Sequence, residues 1–199
     1  MESLKSSNHL LKSVSSTIEV LNALKNSTTI QNEYRKVYQL LLNCLRNRGT
    51  IYLAGNGGSS AAIQHFATEL IVKFESERIS LPAFALTNDI TSITAISNDY
   101  HYDYIFERQL TAFADSKRDI FFGFSTSGNS QNIVNAFKYC QKAGITSVGL
   151  SGATSGKMNE YSDVTINVPS TNVANIQESH LVICHALCRD IDSIYHGSQ

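Results

Sequence analysis

His65 and Glu69 stand four residues apart in the stretch GNGGSSAAIQHFATE, Gly55 to Glu69. On a helix that spacing puts an imidazole and a carboxylate on one face, about one turn apart, where they can bind a metal or pass a proton. The first half of the stretch, GNGGSS at 55–60, reads as a turn between the β-branched apolar run Thr50–Ala54 and that helix. First-turn N–H groups of a helix have no partner inside it and point at whatever anion sits in the turn. Gly57 and Gly58 let the backbone approach such an anion closely. A second turn, STSGNS at 125–130, leaves the run FFGF and enters another helical pattern. The hydroxyls of Ser125, Thr126, Ser127 and Ser130 can surround a phosphate without a cation. Ordinary N-capping explains one such turn; two hydroxyl-rich turns at the same edge of a sheet point to phosphate. Neither is a nucleotide signature, because GxxxxGK[ST] is absent and Ser60 stands where GxGxxG needs its third glycine.

A second polar set lies near the C-terminus. Gln177, Glu178 and His180 open a helical pattern, and His185 sits in the run LVICHALC. A charged imidazole there is costly, so His185 reads from the residues alone either as a satisfied core histidine or as a site group. The helical rise from Gln177 to His185 is about 12 Å, an awkward span for two ligands of one metal. Asn98 and Asp99 interrupt a helical pattern before YHYDYIF, and Asp99 is either an N-cap or a partner for a sugar hydroxyl.

The elements that must position these groups are legible as alternation. Leu10, Leu11, Val14, Ile18, Leu21 and Leu24, then Ile30, Tyr34, Val37, Tyr38, Leu41 and Leu45, give two amphipathic helices broken at Asn26–Thr29, the second closed by Gly49. The first carries a full apolar stripe and must pack on its own domain or on a partner subunit. From Thr50 onward, apolar runs at Thr50–Ala54, Ala83–Leu86, Asp119–Phe124, Ile145–Leu150 and Asp163–Val168 alternate with helical patterns. Those helices are Ser59 to about Phe74, Asp89–Ala114 with a break near Asn98, Ser130–Ala143 closed by Gly144, and Ile176 to about Tyr195. The pattern predicts one α/β domain over 1–199: a three-layer, doubly wound fold on a five-stranded parallel sheet, with its ligand site at the carboxyl ends of the strands. The helices within 1–49 precede it and serve packing and oligomerisation. Gly152–Tyr161 reads as a surface connection.

Bulk properties narrow the function classes. The chain has 199 residues, 16 basic and 17 acidic, and a net charge of −1. No basic block suggests direct nucleic-acid or membrane contact, so small ligands fit better than polyanions. No window approaches a transmembrane span and MESLKSSNHLLKS has no signal-peptide core, which predicts a cytoplasmic protein. The four cysteines, at 44, 140, 184 and 188, form no CxxC and read as small buried hydrophobes. Cys184 and Cys188 flank His185 at a spacing that permits a thiolate site, although an apolar helix explains them as well.

Taken together, AGNGGSSAAIQHFATEL, ISNDY, STSGNS and IQESHLVICH resemble the phosphosugar isomerase (SIS) domain family, and within it the phosphoheptose isomerases, over essentially the whole chain. The resemblance implies an aldose–ketose isomerase that converts sedoheptulose 7-phosphate to D-glycero-D-manno-heptose 7-phosphate for bacterial heptose and lipopolysaccharide biosynthesis, built as a homotetramer. It implies that Asn56, Gly57, Gly58, Ser59, Ser125, Thr126, Ser127 and Ser130 hold substrate and phosphate. Asn98 and Asp99 would contact the sugar, while His65, Glu69, Gln177 and His185 bind Zn2+. Glu69 and Gln177 would also touch substrate, and Glu69 and His185 would be catalytic base and acid. FESERISLPAFAL resembles a segment of a replication-initiator-associating protein of the same fold, a non-catalytic binder that lacks the glutamate and the late histidine present here as Glu69 and His185. Departures are Lys73 and Asn175, where the isomerases usually carry Arg, and Ala174, where some relatives are acidic; a lysine cannot make arginine's bidentate phosphate contact.

Overall fold

Residues 8–154 and 156–197 are described by the computed structural model. Residues 1–7, read above as lacking a signal-peptide core, lie outside the described residues. The elements run α1 (His9–Asn26), α2 (Thr28–Arg46), β1 (Ile51–Gly55), α3 (Gly58–Ile71), β2 (Ala83–Ala85), α4 (Ile90–Asp99), a 3-10 turn Tyr102–Tyr104, α5 (Ile105–Phe113), β3 (Ile120–Ser125), α6 (Gln131–Ala143), β4 (Thr146–Ser151), a 3-10 turn Lys157–Glu160, β5 (Val164–Asn167) and α7 (Val173–Tyr195). All strand pairs are parallel, in the order β2-β1-β3-β4-β5. Parallel strands need crossovers, and the helices supply them on both faces.

One apolar core, including Leu53, Phe66, Leu70, Phe122, Val148, Ile183 and Leu187, lies between the sheet and α2, α3 and α7. The other, including Tyr52, Phe106, Leu110, Phe121, Ile133 and Phe137, lies under α5 and α6. This is the expected three-layer fold. In the order 2-1-3-4-5 the chain reverses direction across the sheet between β1 and β3, and the crevice at that reversal is where such sheets hold ligands. The two turns singled out in the sequence leave β1 and β3, whose ends are in register at Gly55 and Phe124.

Four local expectations change. The break between the first helices is a single residue, Ser27, which ends α1 and caps α2 by accepting from Ile30 N. At the end of α2 the left-handed residue is Arg48 (φ 57°) rather than Gly49, whose position is needed because a Cβ there would sit 2.0 Å from the Arg118 carbonyl oxygen. Asp99 is no N-cap; it is the last residue of α4, and His101 caps the following 3-10 turn by accepting from Asp103 N. Finally, 152–161 is more than a surface link. Met158 is fully buried, and Met158 N and Lys157 N donate to Gly128 O and Asn129 Oδ1, so the segment backs the turn after β3.

α1 packs Val20 and Leu24 against the first core but leaves Leu10, Leu11, Val14 and Ile18 exposed. Among the described residues no helix is long and apolar enough to cross a membrane. Phe66 joins α3 to the sheet through the ring of Phe122, 5.8 Å away, and is fully buried. Phe66→Ala is therefore expected to cost about 3–5 kcal/mol in urea unfolding through lost burial and a residual cavity.

Candidate functional site

Two helices on one face of the sheet bring the candidate groups together. α3 and α7 pack side by side in the same direction, so residues near their starts meet, then residues one and two turns on. At the first level the Gln177 amide lies over Gly58. A Cβ on Gly58 would stand 2.6 Å from Gln177 Nε2, so only glycine leaves room. Gly58, Ala61, Ala62, His65, Ala174, Gln177, Glu178 and Leu181 enclose an open cavity of about 390 Å³.

At the next level the His65 and His185 Nε2 atoms are 2.9 Å apart, one ring donating to the other, and Glu69 Oε1 lies 3.5 Å from the same His65 nitrogen. Phe74, in the turn after α3, stacks on His185 at 5.2 Å. His185 is thus a half-buried group facing α3. Partial burial lowers its pKa, the neighbouring His65 adds to the effect, and Glu69 opposes it. The core histidine is instead His180. It is fully buried against Phe124 and lies 3.3 Å from the Ser151 carbonyl at the end of β4, and burial pushes its pKa down to about 4. The neutral ring donates Nε2–H to that carbonyl.

Beyond the imidazoles, Arg78 closes the helix pair. Its side chain is fully buried and reaches four acceptors: Asp192 Oδ1 at 2.7 Å, Leu70 O at 2.8 Å, Ile79 O at 2.9 Å and Glu69 O at 2.6 Å. Asp192, in the last turn of α7, accepts Glu75 N and Ser76 N with its second oxygen.

The turns at the sheet edge form the other half of the site. Ser125 Oγ and Ser130 Oγ are 3.1 Å apart, and Ser127 Oγ accepts Asn129 N. Gly128 has φ +66°, and a Cβ there would meet Gly156 N at 2.7 Å, so the turn needs glycine for both reasons. Ser130 caps α6 without a side-chain bond to its N–H groups, leaving the anion-binding end of that helix facing the turn. Asn56 and Asn132 exchange two amide bonds of 2.9 Å, and Tyr102 OH donates to Asn56 Oδ1 at 2.8 Å. The Asn56 amide therefore ties the β1 turn to α6 and to the 3-10 turn after α4.

The resemblance to known proteins can now be set beside this geometry. The SIS domain profile matches residues 16–152. The phosphoheptose isomerase of Aliarcobacter butzleri is 46% identical over 165 residues, 83% of this chain and 87% of that protein. That of Sulfurimonas denitrificans is 40% identical over 189 residues, 95% of this chain and 96% of that protein. The chain belongs to the phosphoheptose isomerase family of SIS-domain proteins. A solved phosphoheptose isomerase from Francisella tularensis superposes with a TM-score of 0.89 at 35% identity, covering 96% of this chain and all of that one (100%).

Within this family fold, His65, Glu69 and His185 come together, and Gln177 shares the cavity with His65. Gly57, Gly58 and Ser59 start α3, while Ser125, Thr126, Ser127 and Ser130 line the turn into α6. Asn98 and Asp99 bond each other at the exposed end of α4, and the link from that segment to the site runs through Tyr102. Of the departures, Lys73 pairs with Glu77 and Asn175 donates to Ser16 Oγ on α1 at 2.5 Å. The sequence reading passed over Arg78, Asp192, Phe74, Tyr102 and Asn132. Arg78 and Asp192 lie among other charged residues, in FESERI and CRDIDS, so nothing in the sequence sets them apart.

Two imidazoles, a carboxylate and an amide suit zinc in donor type. The two imidazoles bond each other directly, and Gln177 shares the cavity with His65. Among the described residues no group of three His, Cys, Asp or Glu side chains is yet set as a metal cage.

Burial raises the Asp192 pKa, but the Arg78 hydrogen bond and the Ser76 and Glu75 N–H groups outweigh it and hold the carboxyl below its usual range. A lowered folded pKa contributes stability that is complete above about pH 4, the unfolded value, and is lost as pH falls through the folded one. Urea unfolding from pH 7 to pH 2 should therefore show the stability gap between wild type and Asp192→Asn shrinking only below about pH 4.

Proposed function

We propose that the protein is an aldose–ketose isomerase converting sedoheptulose 7-phosphate to D-glycero-D-manno-heptose 7-phosphate in the cytoplasm, for bacterial lipopolysaccharide or another surface glycan. The observation that carries the reading is that His65 joins Glu69 of its own helix to His185 of α7, beside a cavity that opens at the start of α3 where the first anion-binding turn ends. The named relatives are phosphoheptose isomerases, which supports the same substrate.

Isomerisation needs a proton taken from C1 of the ketose, an enediolate held long enough to react, and a proton returned to C2. Ser125, Thr126, Ser127 and Ser130, with the α6 N-terminus, bind the phosphate and fix the reacting carbons in place. Glu69 removes the C1 proton and the electron pair moves into the enediolate. His185 returns a proton to C2 while the hydroxyl protons redistribute between O1 and O2. His65, Glu69, Gln177 and His185 would hold zinc, which when bound polarises the sugar's carbonyl and hydroxyl oxygens.

The reading includes a homotetramer, in which another copy covers the exposed Leu10, Leu11, Val14 and Ile18 on α1. Patches of this kind on a soluble domain mark association surfaces.

NMR of sedoheptulose 7-phosphate incubated with the purified protein should show the aldose phosphate forming. Glu69→Gln should slow turnover by roughly 10²–10⁴-fold in a folded protein. A folded, zinc-supplied protein that leaves the ketose unchanged sinks the assignment. Chelation should remove the activity and zinc restore it, and calorimetric titration should show Gln177→Ala binding zinc at least tenfold more weakly. Equal zinc affinity in that variant removes Gln177 from the ligand set.

A further inference from the structure

The side chain of Arg78 is buried on a segment that carries none of the reacting groups, yet it donates to the main-chain carbonyl of Glu69 itself. Its other bonds explain why this matters. Leu70 O and Glu69 O are among the last carbonyls of α3, which have no N–H partner within the helix, and a cation there is favoured by the helix dipole as well. The remaining edge of the guanidinium holds Asp192, in the last turn of α7. A carboxylate at a helix C-terminus opposes the dipole of its own helix, so Asp192 depends on Arg78 and on the two N–H groups of Glu75 and Ser76. Asp192 lies seven residues, close to two full turns, beyond His185, so the two project from the same side of α7 toward α3.

We infer that Arg78 and Asp192 are positioning residues that lock the axial register of α3 against α7 and thereby set the separation of Glu69 and His65 from His185. The inference rests on the isomerase reading for its kinetic consequence, but its structural claim stands apart from it. Arginine is needed because four acceptors in two directions require a planar, branched donor. Lysine offers one ammonium on a flexible stem and cannot hold the Glu69 carbonyl and Asp192 together. A second tie, Arg189 to Glu75 at 2.8 Å, is exposed and too weak to substitute. Arg78 sits at the far end of α3 from the 55–60 turn and touches neither β3 nor α6, which carry the other anion-binding turn, so phosphate binding should be spared while the reacting groups drift apart.

The test uses Arg78→Lys and Asp192→Asn in the full chain, with Leu110→Ala, in the opposite core, as a destabilised control. For the folded variants the expected result is a kcat lower by about 10- to 100-fold with KM changed less than about threefold, since small misplacements of reacting groups cost that much. The control should keep its kcat. Long-range ¹⁵N spectra of labelled histidines in the chelator-treated, metal-free protein supply the reading that needs no substrate: the mutual hydrogen bond of His65 and His185 should weaken in both variants and persist in the control. Wild-type imidazole signals in folded Arg78→Lys or Asp192→Asn overturn the inference, as does a rise in KM alone. Should Arg78→Lys not fold, Asp192→Asn decides, because it keeps the shape and one acceptor of the original. A wild type without turnover defeats the isomerase reading and leaves the histidine spectra to judge the register.

Discussion

Arg78 reaches four acceptors from inside the protein, and those bonds fix how α3 lies on α7. Burying a guanidinium and a carboxylate costs several kcal/mol per ion, and the attraction between them repays that only when every donor and acceptor is used. Here the carboxylate has both oxygens engaged and the guanidinium bridges two helix ends. Removing one partner leaves a buried charge without compensation, at a cost of about 3–5 kcal/mol. An apolar pair of similar volume would hold the helices together about as strongly. It would not specify which turn of α3 faces which turn of α7, and that register is what the site depends on.

The sheet supplies the other half of the geometry. Because β1 and β3 are neighbours with crossovers leaving in opposite directions, the turns after them open into one crevice. Gly128 gives the second turn its left-handed step, and the 3-10 turn at Lys157–Glu160 supports it from below. The Asn56–Asn132 amide pair and Tyr102 then hold the first turn to α6. In the proposed isomerase the 125–130 turn is fixed to β3 and α6 while Glu69 and His185 are fixed to α3 and α7, so phosphate binding at that turn and chemistry should be separable by mutation.

Much of this was legible in the chain. Five apolar runs alternating with helical periodicity specify a parallel sheet, since no other arrangement buries both faces of such runs. The i,i+4 spacing of His65 and Glu69 defines a face on its own. What the sequence hid was set by partners distant in the chain. His180 stands in the polar start QESH and His185 in the apolar run LVICHALC, yet packing against α3 puts His185 at the candidate site while His180 enters the core. The gap between Gln177 and His185 looked awkward for one site because the sequence does not show α3 running alongside, meeting both at successive turns. Arg78 was invisible for the same reason: its partners are two helix ends brought together only in the fold. Asn98–Asp99 was a choice between a cap and a ligand, and the cap is His101 because α4 runs through Asp99 before it ends.

The claim at the centre is that α3 and α7 present Glu69 and His185 as one acid–base unit. Its most direct measurement is kcat/KM for sedoheptulose 7-phosphate in Glu69→Gln, His185→Ala and the double variant, each loaded with zinc. Groups acting as a unit are strongly non-additive, so the double variant should be no slower than the slower single one within about threefold. Losses that multiply would mean that the two side chains act independently, and would contradict the account.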